Sequence, residues 1–219
     1  ATGLDCNGAL LAQDGIVVDF GPDLQIPKKA ATVVCKGLCL SPGLIDVRVH
    51  LCEPGEDHKE TIETAGLAAA TGGVTAMVCL PNTVPAIDDV SVVEFIARRA
   101  REAKLVKIYP YGTVTRGSDG KQLTEMGLLS EAGAVAFTDG TKAIADATVM
   151  RRALSYASGF DLLVVQHPEE PSLARDGVMN EGEVATRLGL PGIPSVAEPI
   201  MIERDIRLIE ITGGRYHAA

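Results

Sequence analysis

The first concentration of potentially reactive side chains is the segment Asp46-Val-Arg48-Val-His50. Because side chains alternate along a β-strand, these three polar groups share one face of an otherwise apolar run, which is typical of a buried strand. A pair of histidines on one such face could share a Zn²⁺ ion, but a guanidinium stays protonated and cannot ligate a metal. The favoured interpretation is a buried ion pair between Asp46 and Arg48 with His50 hydrogen-bonded nearby, and the alternative is half of a metal site.

Other polar residues follow later apolar runs. Asn82 and Asp139 lie in segments that usually make turns, although the amide of Asn82 could also contact a ligand. His167 leaves an apolar strand shortly before Glu169 and Glu170, whose carboxylates could orient its ring as they do for metal-ligating histidines. A solvated loop histidine is the equal alternative. The sequence contains no G-x-S-x-G nucleophile motif.

These residues can act together only if the fold gathers them. Strands are predicted at residues 43–51, 73–80, 105–114, 134–138, 161–166 and 215–219, and helices at residues 58–72, 88–104, 121–133, 146–158 and 195–214. This alternation predicts a parallel sheet covered by helices, with functional groups at the carboxyl ends of the strands. The predicted fold class is α/β, a partial TIM (β/α) barrel, and the alternative is an open doubly wound sheet. The absence of G-x-G-x-x-G after the first strand counts against that alternative.

Residues 1–40 are predicted to form a separate, partial β-domain. Apolar runs flank Asp14-Gly15, which is a strong signal for a hairpin, and residues 32–35 predict a further short strand. Residues 41–219 are predicted to form the partial barrel, from its first strand to the start of its sixth. The barrel therefore looks cut short, and the family resemblance described below implies that the start of the chain is missing as well.

Composition excludes several classes of partner. The 219 residues carry 20 basic and 29 acidic side chains, a net charge of −9, so neither nucleic acid nor an anionic membrane is an expected partner. No apolar run reaches the roughly 18 residues of a membrane span, and no signal peptide is visible, so a cytoplasmic location is predicted. The odd number of cysteines predicts reduced thiols rather than disulfides. The cysteines are Cys6, Cys35, Cys39, Cys52 and Cys79.

Seven segments follow one another along the chain: SPGLIDVRVHLCEPG, KETIETAGLAAATGGVT, CLPNTVPAID, EAGAVAFTDG, QHPEEPSL, NEGEVATRLGLPGIPSVAE and RYHAA. In this order and spacing they resemble the motifs of the dihydroorotase family of the amidohydrolase superfamily. The resemblance implies a TIM barrel of the amidohydrolase type with a small β-domain. It also implies Zn²⁺-assisted hydrolysis or closure of a cyclic amide in pyrimidine biosynthesis.

The resemblance implies that part of the family's site is retained. His50 and His167 match two of the family's zinc ligands, and Asn82 matches a residue that contacts the substrate. Asp139 matches the first aspartate of the family's D-D-G motif.

Other positions of the family's site are altered. Arg48 stands where the family has another histidine ligand, Gly140 where it has a metal-binding aspartate, and Cys52 where an arginine grips the substrate carboxylate. The sixth-strand histidine and the general-base aspartate would follow Ala219. Because metal catalysis needs several ligands and an open position, zinc is expected to be weak or absent, and no catalytic residue is assigned.

Three functions remain open. The leading prediction is a non-catalytic homologue that acts as a structural partner of aspartate transcarbamoylase, because the altered positions resemble those of the non-catalytic dihydroorotase-like proteins that associate with that enzyme. The second is a zinc-dependent dihydroorotase or related cyclic amidase with an unusual metal site, in which Lys142 would serve as a carboxylated lysine. The third is a binding protein that retains the cleft for another ligand. A small dihydroorotate-like molecule is a further candidate partner. An oligomer is expected.

Overall fold

The computed structural model describes residues 7–219, so Cys6 lies outside the described residues. The chain divides into two compact units, Ala1–Pro42 and Gly43–Ala219. In the first unit, strands β1 (Ala9–Gln13) and β2 (Ile16–Gly21) form an antiparallel hairpin. The predicted hairpin is confirmed, and its turn residues Asp14 and Gly15 both have the positive φ that a tight hairpin turn requires.

The strand predicted at residues 32–35 is wrong. These residues have no regular structure, and Val33 and Val34 are exposed. A β-branched run becomes a strand only where a partner supplies the ladder of hydrogen bonds, and within residues 7–42 the ladder joins only β1 and β2.

The second unit alternates strands with helices, and the predicted order is confirmed. Its elements are β3 (Leu44–Val49), α1 (Ile62–Thr71), β4 (Val74–Cys79), α2 (Val90–Ala103), β5 (Lys107–Gly112), a 3₁₀ turn (Arg116–Ser118), α3 (Met126–Glu131), β6 (Ala136–Phe137), α4 (Ala147–Ser158), β7 (Leu163–Gln166), α5 (Pro171–Ala174), β8 (Met179–Asn180), α6 (Glu183–Leu188), β9 (Gly192–Ile193), α7 (Ala197–Thr212) and β10 (Arg215–Ala218). The sequence predicted no regular elements between β7 and α7, where the chain forms α5, α6 and the short parallel pair of β8 and β9.

Six strands form one parallel sheet in the order β10-β7-β6-β5-β4-β3. Successive sheet strands are neighbours and the order never reverses, which is the arrangement of a barrel rather than of a doubly wound sheet. The fold class is therefore α/β, with a parallel half-barrel and a small antiparallel hairpin.

Alternation along the strands gives the half-barrel two apolar faces. Phe137 and Val164 point outward and join the fully buried layer between the sheet and the helices. Their chain neighbours Ala136 and Val165 point inward and pack in a second cluster with Tyr111. The functional groups described below lie at the carboxyl end of this inner face.

Four helices, α1, α2, α4 and α5, begin where a side chain accepts a hydrogen bond from a free backbone N–H group. At the start of α4, the Asp146 carboxylate accepts hydrogen bonds from the backbone N–H groups of Thr148 and Val149 at 2.7 and 3.1 Å. These hydrogen bonds hold the pKa of Asp146 below its ordinary value. No helix within residues 7–219 is both long and apolar enough to cross a membrane.

The prediction that the first barrel strand is buried is wrong. Leu44, Ile45 and Val47 are each more than half exposed. In the described sheet β3 is an edge strand that pairs only with β4, so neither its outer edge nor these side chains are covered there.

Candidate functional site at the carboxyl ends of the strands

A cavity of about 180 Å³ opens at the carboxyl end of the inner face. Its lining is largely apolar, and polar groups enter it from four different strands or from the loops that follow them. These groups include Arg48, Tyr111, Thr138 and His217. Burial raises the pKa of the Tyr111 hydroxyl, and the nearby Arg48 guanidinium offsets part of that effect.

The half-buried guanidinium of Arg48 contacts His167 across the inner face. Arg48 Nη2 lies 3.5 Å from His167 Nδ1, although β3 and β7 are separated by three other strands in the sheet. The curvature of the half-barrel therefore brings the two side chains together. Because a guanidinium can only donate, His167 Nδ1 is the acceptor, and the neutral ring carries its proton on Nε2.

The predicted ion pair between Asp46 and Arg48 is wrong. The Asp46 carboxylate accepts a hydrogen bond from the backbone N–H of Arg48 at 3.0 Å, and Asp46 is exposed. An exposed carboxylate gains little from a guanidinium partner, because water solvates it well. The guanidinium is thus free to turn toward the imidazole of His167.

His50 ends the same strand but has a different partner. Its Nε2 lies 3.2 Å from the backbone oxygen of Asn82, in the loop that follows β4. The hydrogen bonds of the described residues do not connect His50 with His167. The two predicted metal ligands are therefore held by separate contacts.

Asn82 fills the space beside Gly140. Its Nδ2 donates to the backbone oxygen of Asp139 at 3.3 Å, while its Oδ1 is buried without a hydrogen-bond partner among the described residues. A Cβ atom added to Gly140 would lie 1.6 Å from Asn82 Oδ1, and Gly140 has a φ of +72°. A side chain at position 140 is therefore excluded while Asn82 keeps this position. The predicted role of Asn82 as a substrate contact stays a prediction.

Asp139 is a buried structural acceptor. Its carboxylate accepts the backbone N–H groups of Val114 and Thr115 at 3.0 and 2.9 Å, together with the Thr115 hydroxyl. Burial raises the pKa of Asp139, and the hydrogen bonds from Thr115 and Val114 offset part of that effect. The residue joins the end of β6 to the loop after β5.

The carboxylates predicted to orient the His167 ring are placed differently. Glu170 Oε1 caps α5 by accepting from the backbone N–H and the hydroxyl of Ser172 at 3.2 and 2.8 Å. Glu169 contacts His167 through a hydrogen bond between their backbones. That prediction is wrong, because a helix N-terminus competes for the carboxylate of Glu170.

Lys142 also has a structural contact. Its Nζ donates to the backbone oxygen of Ser118 at 3.3 Å, and the residue is exposed. The structure therefore gives no support to a role for Lys142 as a carboxylated metal ligand.

Sequence reasoning missed the ion pair that holds the loop after β3. Glu53 is 3% exposed, and its Oε1 lies 2.6 Å from Arg99 Nε while its Oε2 accepts the backbone N–H of Ile62 at 2.8 Å. The hydrogen bond to Glu53, and a second one to Glu102, raise the pKa of Arg99. The sequence could not reveal this pair, because only the fold brings Glu53, in the loop after β3, next to Arg99 in α2.

The residues present do not fit the zinc centre that the resemblance implies. The imidazole nitrogen that Arg48 contacts is engaged by a fixed positive charge, and Gly140 has neither a donor atom nor room for one. A divalent cation beside His167 would face the guanidinium at short range, which is unfavourable in a partly buried site.

The parallel half-barrel with polar groups at the carboxyl ends of its strands defines this chain as an α/β protein of the barrel class. A family model described as dihydro-orotase-like matches residues 37–219, and the chain belongs to that family. It is similar over its whole length to proteins named dihydroorotase from Syntrophobacter fumaroxidans, at 46% identity, and from Syntrophus aciditrophicus, at 44% identity. The chain covers 51% and 52% of these two proteins, and thus spans about half the length of the curated relatives it matches.

Solved structures support the fold. The alignment with L-hydantoinase (dihydropyrimidinase) from Arthrobacter aurescens covers 96% of this chain and 48% of the hydantoinase chain, with a TM-score of 0.76 and 20% identity. The alignment with dihydroorotase from Saccharomyces cerevisiae, in complex with 5-fluoroorotic acid, covers 80% of this chain and 47% of the yeast chain. Its TM-score is 0.56 and the identity is 15%. At these identities the likeness concerns the fold alone.

Proposed function

We propose that this chain belongs to a catalytically silent dihydroorotase homologue of pyrimidine biosynthesis, which acts as a structural partner of aspartate transcarbamoylase. The observation that carries the loss of catalysis is the contact between Arg48 and His167. The guanidinium takes the place beside His167 that a metal ion would need.

A guanidinium and a metal ion differ in the property that this catalysis requires, which is Lewis acidity. A guanidinium supplies a positive charge and N–H donors, but it is not a Lewis acid and cannot activate a bound water as a metal does. It also uses the lone pair of His167 Nδ1, which therefore cannot ligate a metal or accept a proton without breaking the contact. A site with these residues can bind an anionic ligand without generating a nucleophile.

The substrate-binding side of the site supports the same proposal. Cys52 stands at the position where the resemblance places an arginine that grips the substrate carboxylate, and a thiol cannot form a bidentate pair with a carboxylate. The cavity beside Arg48 retains a positive charge that would favour a dihydroorotate-like anion. Partnership with aspartate transcarbamoylase is supported by the resemblance alone.

The second candidate function is a working dihydroorotase. The names of the relatives, at 43–48% identity to this chain, favour it. It requires Arg48 to leave His167 and another residue to supply the carboxylate that Gly140 lacks.

Two measurements on the natural polypeptide that contains this sequence test the proposal. With zinc supplied, hydrolysis of dihydroorotate should stay at background, while the Syntrophobacter fumaroxidans relative serves as the positive control. A kcat in the enzymatic range of about 1–10³ s⁻¹ would refute catalytic silence. In sedimentation with aspartate transcarbamoylase of the same organism, a stoichiometric complex is expected, and separate boundaries at micromolar concentrations would refute the partnership.

A further inference from the structure

We propose that His50, Cys52 and Glu56 bind a borderline divalent cation, with Zn²⁺ as the best match, in the loop that follows β3. One imidazole nitrogen, the thiol sulfur and one carboxylate oxygen of these residues all lie within 4.8 Å of one another. The set shares His50 with the zinc ligands that the resemblance implies, but it contains neither Arg48, His167 nor Gly140, so the proposal does not depend on the contact that carries the proposed function.

The backbone brings the three donors together. The backbone N–H of Glu56 donates to the backbone oxygen of Cys52 at 2.8 Å, which closes a turn between them. Cys52 has a φ of +62°, and His50 lies two residues before it at the end of β3. All three side chains reach solvent, since His50 is exposed and the other two are half-buried. A cation could therefore enter without opening the core.

The contact of His50 with Asn82 engages one nitrogen of the ring and leaves the other available to a cation. His50 Nε2 faces a backbone carbonyl oxygen at 3.2 Å, and a carbonyl can only accept, so the neutral ring carries its proton on Nε2. Nδ1 is then the nitrogen with the free lone pair. Metal-ligating histidines in proteins are held in this way, with the other ring nitrogen donating to a carbonyl or carboxylate.

Local charge also favours a cation. Burial and the nearby carboxylates of Glu56 and Glu60 raise the pKa of the Cys52 thiol, and the Lys59 ammonium offsets part of that effect. Lys59 Nζ pairs with Glu56 Oε1 at 2.5 Å, and its side chain is 54% exposed. An exposed ion pair of this kind contributes little, so a divalent ion can displace the ammonium from Glu56.

The donor types select the ion. A sulfur, a nitrogen and an oxygen ligand suit Zn²⁺, whereas Mg²⁺ and Ca²⁺ require oxygen ligands. Three protein ligands leave a fourth tetrahedral position for water. Zinc–ligand bonds of about 2.0–2.3 Å place neighbouring ligand atoms about 3.5 Å apart, so small side-chain rotations must close the present spacing.

Titration with Co²⁺, a spectroscopic substitute for Zn²⁺, tests the site. The polypeptide should carry serine at Cys6, Cys35 and Cys39, because these three thiols could also bind metal. Cys79 can remain, because it is buried and burial raises its pKa to about 12. We expect one Co²⁺ per chain with a thiolate-to-cobalt charge-transfer band, which excess Zn²⁺ abolishes by displacement.

Variants in that background assign the ligands. Cys52→Ser should abolish the band, and Glu56→Gln should weaken Co²⁺ binding about tenfold or more while retaining the band. The matched control His167→Gln should change neither the charge-transfer band nor the affinity for Co²⁺. Absence of the band in the parent, its persistence in Cys52→Ser, or loss of binding in His167→Gln would overturn the proposal. Circular dichroism of each variant verifies the fold, and because Glu56 is partly exposed, Glu56→Gln remains informative if Cys52→Ser fails to fold.

Discussion

Replacing Asp139 by alanine should destabilise the protein severely, because one carboxylate serves three donors in the core. The donors are the backbone N–H groups of Val114 and Thr115 and the hydroxyl of Thr115. Both of these residues are 0% exposed, and Asp139 itself is 2% exposed, so bulk water cannot replace the lost acceptor. The substitution therefore leaves buried donors unpaired rather than exchanging one partner for another.

The magnitude follows from the number of donors. An unpaired buried donor costs about 1–3 kcal/mol, so Asp139→Ala should lose about 2–6 kcal/mol if the Thr115 hydroxyl can turn elsewhere and only the two backbone donors are left unpaired. Asp139→Asn should lose only about 1–2 kcal/mol, because the amide oxygen can still accept both backbone N–H groups. The larger loss is a substantial part of a typical folding free energy of about 5–15 kcal/mol.

Urea unfolding at one fixed protein concentration, followed by far-ultraviolet circular dichroism, measures the effect. Asp119→Ala is the matched control, because its exposed carboxylate accepts one backbone N–H from Lys121 and its loss should cost less than about 1 kcal/mol. An Asp139→Ala variant as stable as the Asp119→Ala variant would refute the structural role. Equal losses in Asp139→Ala and Asp139→Asn would show that charge, rather than acceptor capacity, is what the site requires.

Three further predictions concern the site and the edge of the sheet. Arg48→His should raise the affinity for zinc through His167 about tenfold or more over the Arg48→Gln control, without restoring turnover. Competition with a chromogenic chelator measures the affinities, and equal affinities of the two variants would contradict the prediction. Gly140→Ala should lower the urea midpoint, because its Cβ would overlap Asn82 Oδ1. Adding Asn82→Ala should recover part of this loss of stability. A double variant whose loss equals the sum of the two single losses would contradict the overlap. The 219-residue polypeptide by itself should self-associate through the exposed edge strand β3, and Ile45→Lys should reduce its sedimentation coefficient. A wild-type polypeptide that sediments as a monomer at all concentrations would contradict this prediction.

The fold could be predicted because its signals are local. Apolar runs of strand length alternate with helical stretches, and several of the switches are marked by a residue such as Asp89, Asp146 or Gly72 that begins or ends a helix. The strand predicted at residues 32–35 failed because β structure also needs a partner, which a local pattern does not reveal. The prediction that β3 is buried failed because its composition is that of a central strand, whereas among the described residues it pairs only with β4.

The site could be predicted only as a set of strand ends. Position along the strands correctly placed Arg48, Asn82 and His167 at the carboxyl end of the sheet. The partner of each side chain could not be predicted, because the contact of Arg48 with His167 depends on the curvature of several strands. The grouping of Cys52 with Glu56 was missed because it depends on a left-handed backbone conformation at a residue other than glycine.

The most direct test of the central claim is the location of zinc in crystals of the natural polypeptide grown with zinc and measured at the zinc absorption edge. If the Arg48 guanidinium takes the place of the metal, the anomalous difference map should show no peak within bonding distance of His167. Density for the guanidinium should lie beside Nδ1 of that ring. A zinc peak about 2.0–2.1 Å from a His167 nitrogen, with Arg48 turned away, would contradict the account.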